Sequence, residues 1–74
     1  MKEYRIGARI RELRRQRGLT QKQTADALGV TQQAVCRWER NQALPGAAHL
    51  RPLASLLGTT ADALLADPPE EDRR

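Results

Sequence analysis

Residues 20–40 read TQKQTADALGVTQQAVCRWER, and the order of cap, apolar pair and stop in this stretch decides the fold. Thr20 is followed three residues later by Gln23, a spacing at which the two side chains satisfy each other's free backbone donors at a helix start. A helix is therefore expected to open at Gln21. Ala25 and Leu28 carry its buried side, and Gly29 stops it by entering the left-handed conformation at little cost. Thr31 is a second N-cap. The helix behind it is expected from Gln32 to Arg40, with Val35 and Trp38 turned inward. Asn41, the residue type that after glycine best tolerates a left-handed turn, closes it. Two short helices thus meet through Gly29 over a shared core, with the small Ala25 where they cross closely.

Outward from this centre the pattern stays helical. Ile6, Ile10 and Leu13 recur at i, i+4 and i+7, which predicts a first helix over about residues 4–17, ended by Gly18. On the other side Leu44 and Pro45 form an extended connection, after which Leu50, Leu53, Ala54 and Leu57 show helical spacing up to Gly58. Pro52 interrupts that pattern, because proline lacks an N–H and collides with the carbonyl four residues back. The fourth helix is therefore expected either to start near Ala48 or His49, leaving Pro52 in its first turn, or to bend at Pro52. Thr60 caps a short fifth helix carrying Leu64 and Leu65. From Asp67 onward Pro68, Pro69 and charged residues read as a flexible tail. The expectation is an all-α domain of five helices over residues 1–66, with a charged tail over 67–74. Short connections mean that neighbouring helices meet at steep angles.

Seventy-four residues make one domain, and a chain this short buries only roughly 60% of its unfolded surface. The net charge of +4 is unevenly placed. Lys2, Arg5, Arg9, Arg11, Arg14, Arg15 and Arg17 crowd the front against Glu3 and Glu12, whereas the tail is acidic. Such asymmetry suits a polyanionic partner, although a solvated arginine-rich helix carries the same charge. Cys36 is the sole cysteine, which excludes an internal disulfide and suits a reducing cytoplasm. His49 has no second ligand at useful spacing, so neither metal nor cofactor is expected. No apolar run approaches the ~20 residues of a membrane span, and the N-terminus lacks a signal-peptide stretch. The expected setting is the cytoplasm, on the nucleoid. The absence of a nucleophile–base set, and the little room for a pocket, argue against an enzyme.

Two capped helices around a tight turn form a helix-turn-helix, which lays its second helix in the DNA major groove with that helix's first residues at the base edges. The chain resembles the DNA-binding domains of lambdoid phage repressors and Cro and the wider Xre-like family of bacteria. The resemblance rests on IGARIRELRRQRGLTQ (6–21), ALGVTQQAV (27–35), WERN (38–41), then LP (44–45) and the leucine pattern ending at Gly58. It extends over residues 5–66.

That resemblance implies a lambda-repressor-like fold and a sequence-specific regulator of transcription, a repressor, bound to double-stranded DNA. Gln32 and Gln33 match the two base-reading positions opening the recognition helix, and Arg37 matches the base-facing position a turn later. Gln21 matches a glutamine that meets a phosphate and supports the base-reading side chain. Lys22, Thr31, Arg40 and Asn41 are expected at phosphates as well. Arg14 and Glu39 match a buried ion pair between the first and third helices. The residue types agree with these roles, since glutamine pairs bidentately with adenine and arginine with guanine. Arg37 is long enough to reach a phosphate instead. Thr24, in place of a larger aliphatic, departs from the family pattern, as do Arg51 and Pro52 in the fourth helix and a loop after Asn41 without basic residues. A homodimer on a palindromic site is expected, through the chain after Pro45 including Leu64 and Leu65, for which simple core packing is the competing role. The alternative reading is a protein-interaction module on the same fold, such as an antitoxin holding its partner. Cys36 falls on or near the groove-facing side, where a redox role would need a lowered thiol pKa.

Overall fold

A computed structural model describes residues 6–65. Within them five helices follow one another: α1 (Ile6–Gln16), α2 (Gln21–Leu28), α3 (Gln32–Glu39), α4 (Ala47–Leu57) and α5 (Ala61–Leu65). No strand occurs among the described residues. The expected first residues of the first helix, 4 and 5, and the tail over 67–74 lie outside them.

The local signals act as read. Thr20 accepts from the Gln23 N–H at 3.0 Å while the Gln23 side chain accepts from the Thr20 N–H at 2.9 Å. These bonds satisfy two backbone donors that helix geometry leaves without a partner. Gly29 takes φ 71° and ψ 30°, and its N–H returns to the carbonyls of Ala25 and Asp26. Thr31 accepts from the Ala34 N–H at 3.1 Å and opens α3. That helix ends one residue before expectation, with Arg40 as its C-cap and Asn41 left-handed at φ 60°.

The core gathers one face of every helix: Ile6 and Ile10 of α1, Ala25 of α2, Val35 and Trp38 of α3, Leu53, Ala54 and Leu57 of α4, and Leu64 of α5. Leu13, Leu28, Val30 and Leu50 pack against it. Thr24 is fully buried as well. Its hydroxyl donates to the Thr20 carbonyl at 2.9 Å, which avoids the cost of an unpaired buried polar group. His49 sets its ring against Trp38, with 6.1 Å between ring centroids.

Two expectations need correction. The fourth helix opens at Ala47, one residue before the expected start, and stays helical past Pro52, which lies in its second turn and not its first. Proline there removes one helical hydrogen bond, the one to the Ala48 carbonyl. Pro52 and Ala48 are both exposed, so water can serve that carbonyl and the helix survives. Leu64, expected on a dimer surface, is 1% exposed and belongs to the core, whereas Leu65 is 40% exposed.

Candidate nucleic-acid interface

The outer arc of α3 is built by exclusion. Val35, Trp38 and Glu39 are buried, and this fixes the opposite side of the helix outward. Gln32, Gln33 and Arg37 are all exposed. At 100° per residue they fall within one arc away from the core, with half-buried Cys36 between them. Arg37 has no ion pair among the described residues. The three residues proposed from sequence to read bases are thus brought together on one polar face, exposed and without a side-chain hydrogen-bond or ion-pair partner among the described residues.

Behind that arc, the buried Glu39 carboxylate organises three helices. Arg14 of α1 grips it with two nitrogens, Nε to Oε2 at 2.5 Å and Nη2 to Oε1 at 3.1 Å. Gln21, the first residue of α2, donates its Nε2 to Oε1 at 3.0 Å. The third guanidinium nitrogen of Arg14, Nη1, donates to the Leu19 carbonyl at 2.7 Å and so ties the connection between α1 and α2 to Arg14. The pair is well buried, with side chains 11% and 3% exposed. A carboxylate in the last turn of a helix faces the negative end of the helix dipole, and three charge-assisted hydrogen bonds offset that. The ion pair expected from the sequence is therefore present. Gln21 as its third member was not read there, because nothing in the local sequence signals a contact eighteen residues ahead.

Asn41 has a structural task too. Its Oδ1 accepts from the Gly7 N–H at 3.0 Å, one of the donors that the start of α1 leaves unpaired. Gly7 itself went unread in the sequence. A Cβ built there would lie 2.5 Å from the Trp38 carbonyl oxygen, 2.6 Å from that of Glu39 and 2.7 Å from Asn41 Oδ1. Only a residue without a side chain lets α1 approach the end of α3 so closely. A glycine inside a helical apolar stripe was the available signal.

The remaining expected residues are exposed at the ends of α2 and α3. Thr31 is exposed at the start of α3, and Arg40 is exposed at its end. Lys22, on the first turn of α2, faces Asp26 at 3.4 Å with both side chains largely in solvent. Such an exposed i,i+4 pair holds the lysine loosely. On the far side of α1, Arg9 donates to the carbonyls of Ala63 at 2.6 Å and Leu64 at 3.3 Å, which ties α5 to α1. No helix among the described residues is long and apolar enough to cross a membrane.

Two short capped helices joined through a left-handed glycine, with the second showing an exposed polar arc, define a helix-turn-helix protein. A helix-turn-helix family model matches residues 10–64, and the chain belongs to that family. It is 40% identical over 65 residues to the uncharacterized HTH-type transcriptional regulator YazB of Bacillus subtilis (strain 168), covering 88% of this chain and 91% of that relative. To YonR of the same organism, an SPbeta prophage-derived uncharacterized HTH-type transcriptional regulator, it is 36% identical over 60 residues. That match covers 81% of this chain but only 56% of YonR. Among solved structures, the P22 c2 repressor protein in complex with a synthetic operator superposes with a TM-score of 0.79 at 32% identity. The superposition covers 81% of this chain and 91% of the repressor chain.

Proposed function

We propose that this protein is a transcription regulator, a repressor in its simplest form, that binds double-stranded DNA by laying α3 in the major groove. The observation that carries the reading is the outward arc of Gln32, Gln33 and Arg37, exposed together on the face of α3 opposite the core. Amides and a guanidinium match the donor and acceptor patterns that base pairs display in that groove. The likeness to the P22 c2 repressor, itself seen on an operator, supports the same docking.

The supporting roles follow from which groups are already occupied. The Gln21 amide nitrogen is committed to Glu39, so Gln21 meets a phosphate through its backbone N–H, which as a first-turn donor has no helical acceptor. Asn41 spends its carbonyl oxygen on Gly7 and keeps its amide N–H groups for a phosphate. Lys22, Thr31 and Arg40 complete the backbone grip. One recognition helix reads only a handful of base pairs, so two copies a helical turn apart on a palindromic site supply the specificity. Among the described residues, Leu65 at 40% exposure and Leu44 at 59% are exposed large apolar side chains available to such a dimer. The protein works where chromosomal or phage DNA lies, on the cytoplasmic nucleoid.

Selection from a random-sequence duplex pool, followed by sequencing, tests this reading. Enrichment of a two-fold symmetric motif is the expected result. Retention of duplexes with no common motif would remove sequence-specific regulation and leave protein interaction as the use of this fold.

A further inference from the structure

Between α4 and the start of α5 lies an open recess of about 510 Å³, whose lining includes Arg51, Ser55, Thr59 and Asp62. Arg51 is the sole arginine or lysine, and Asp62 the sole carboxylate, among residues 41–65. Both are exposed, and neither has an ion pair among the described residues. Leu65, 40% exposed, follows Asp62 by three residues and shares its side of α5. The patch is held in place from α1. Arg9 donates to the carbonyls of Ala63 and Leu64 at the end of α5, and Arg17 lies over Gly58 at the turn before it, where a Cβ would stand 2.8 Å from its Nη1. A helix of five residues is marginal by itself, so these two arginines keep Asp62 and Leu65 at a fixed place beside α4. Two-fold pairing sets one patch against itself, and a surface that binds a second copy must therefore complement itself. The exposed side of α1 carries Arg11, Arg15 and Arg17 against Glu12, and α3 exposes Arg37 and Arg40. Copies facing each other through either surface would repel. The α4–α5 patch carries one charge of each sign and does not.

We propose that the α4–α5 patch selects a second copy of this chain through two reciprocal ion pairs, Arg51 of each copy with Asp62 of the other, set beside Leu65. Burial of leucine favours association with any apolar surface, whereas charges of fixed sign decide which partner is accepted. A related chain with the wrong sign at either position is refused. The inference rests on the two-copy reading of DNA binding, and it adds the side chains that make a copy choose another like itself.

The test measures binding of the full chain to the symmetric duplex obtained by selection and to a duplex carrying half of it. Cooperativity between two copies is then read apart from affinity for DNA. Arg51→Glu and Asp62→Arg should each lower cooperativity by roughly tenfold, because each sets like charges together at two places. Arg15→Glu, the same charge change on the exposed side of α1, is the control and should leave cooperativity unchanged. An equal mixture of the Arg51→Glu and Asp62→Arg chains should recover it, since the mixed pair sets unlike charges together at both places. One chain carrying both changes should recover it as well. An ion pair within a single chain would give no recovery on mixing. Undiminished cooperativity in the single variants, or a mixture no better than either variant alone, overturns the reciprocal pairs while leaving two-copy binding intact. A wild type that binds the whole motif without cooperativity would instead overturn the two-copy reading on which the pairs rest.

Discussion

At the residue scale, two positions that assemble the interface do so through contacts inside the protein. Glycine costs roughly 1 kcal/mol against alanine inside a helix, yet Gly7 stands in the first turn of α1 because two carbonyl oxygens occupy the space of a side chain. Gly7→Ala gains helix propensity and loses more to overpacking against backbone that cannot rotate away. A net loss of about 1–2 kcal/mol is expected in urea unfolding, and an unchanged midpoint would show that α1 shifts freely. Arg14 and Glu39 form the other such position. Removing Arg14 strands a carboxylate that is 3% exposed, so Arg14→Ala should cost about 3–5 kcal/mol. A double-mutant cycle of Arg14→Ala with Glu39→Ala should give strong coupling, and coupling near zero would reject the pair. These residues differ in legibility. Arg14 and Glu39 were found through family resemblance, not from spacing. Gly7 and the Gln21 amide escaped because their contacts join segments far apart in the chain.

At the element scale, what could be read from the sequence was what is encoded within four residues. Thr20 with Gln23, Thr31 with Ala34 and Thr60 with Ala63 all make the bonds their spacing implies. Thr20→Ala should accordingly lower stability by about 1 kcal/mol, measured as a shift in the thermal midpoint; no shift would mean that tertiary packing alone holds the start of α2. Pro52 was misread for a related reason. The rule against proline inside a helix concerns the cost of one lost bond and a steric clash, not a prohibition. The core contacts of Leu53, Ala54 and Leu57 outweigh that cost in α4. Pro52→Ala should then stabilise the protein by about 2 kcal/mol, since proline is roughly 3 kcal/mol worse than alanine in a helix interior and part of that is returned by a more flexible unfolded chain. A lower urea midpoint for Pro52→Ala would show that α4 needs the proline. Leu64 illustrates the opposite difficulty. Its neighbour Leu65 has the same side chain, and only the register of a five-residue helix decides which one is buried.

At the scale of the whole molecule, a small core supports a surface on which several charges are deliberately left without partners. Arg11, Arg37 and Arg40 are exposed and unpaired among the described residues, whereas the buried pair of Arg14 and Glu39 holds helices together. The exposed charges add little to the stability of the free protein and are available to an anionic partner. The proposed base readers and the buried ion pair are different side chains, so variants should separate base reading from stability. Gln32→Ala and Arg37→Ala are expected to leave thermal unfolding within about 0.5 kcal/mol of wild type, as exposed substitutions usually do.

Those same two variants test most directly whether α3 reads sequence. Affinity is measured for wild type, Gln32→Ala and Arg37→Ala on the selected duplex and on its scrambled counterpart, at several salt concentrations. Loss of about 1–3 kcal/mol on the selected duplex, with little loss on the scrambled one, is the predicted result for each base contact. Equal losses on the two duplexes would contradict it, and α3 would then grip the DNA backbone without reading bases.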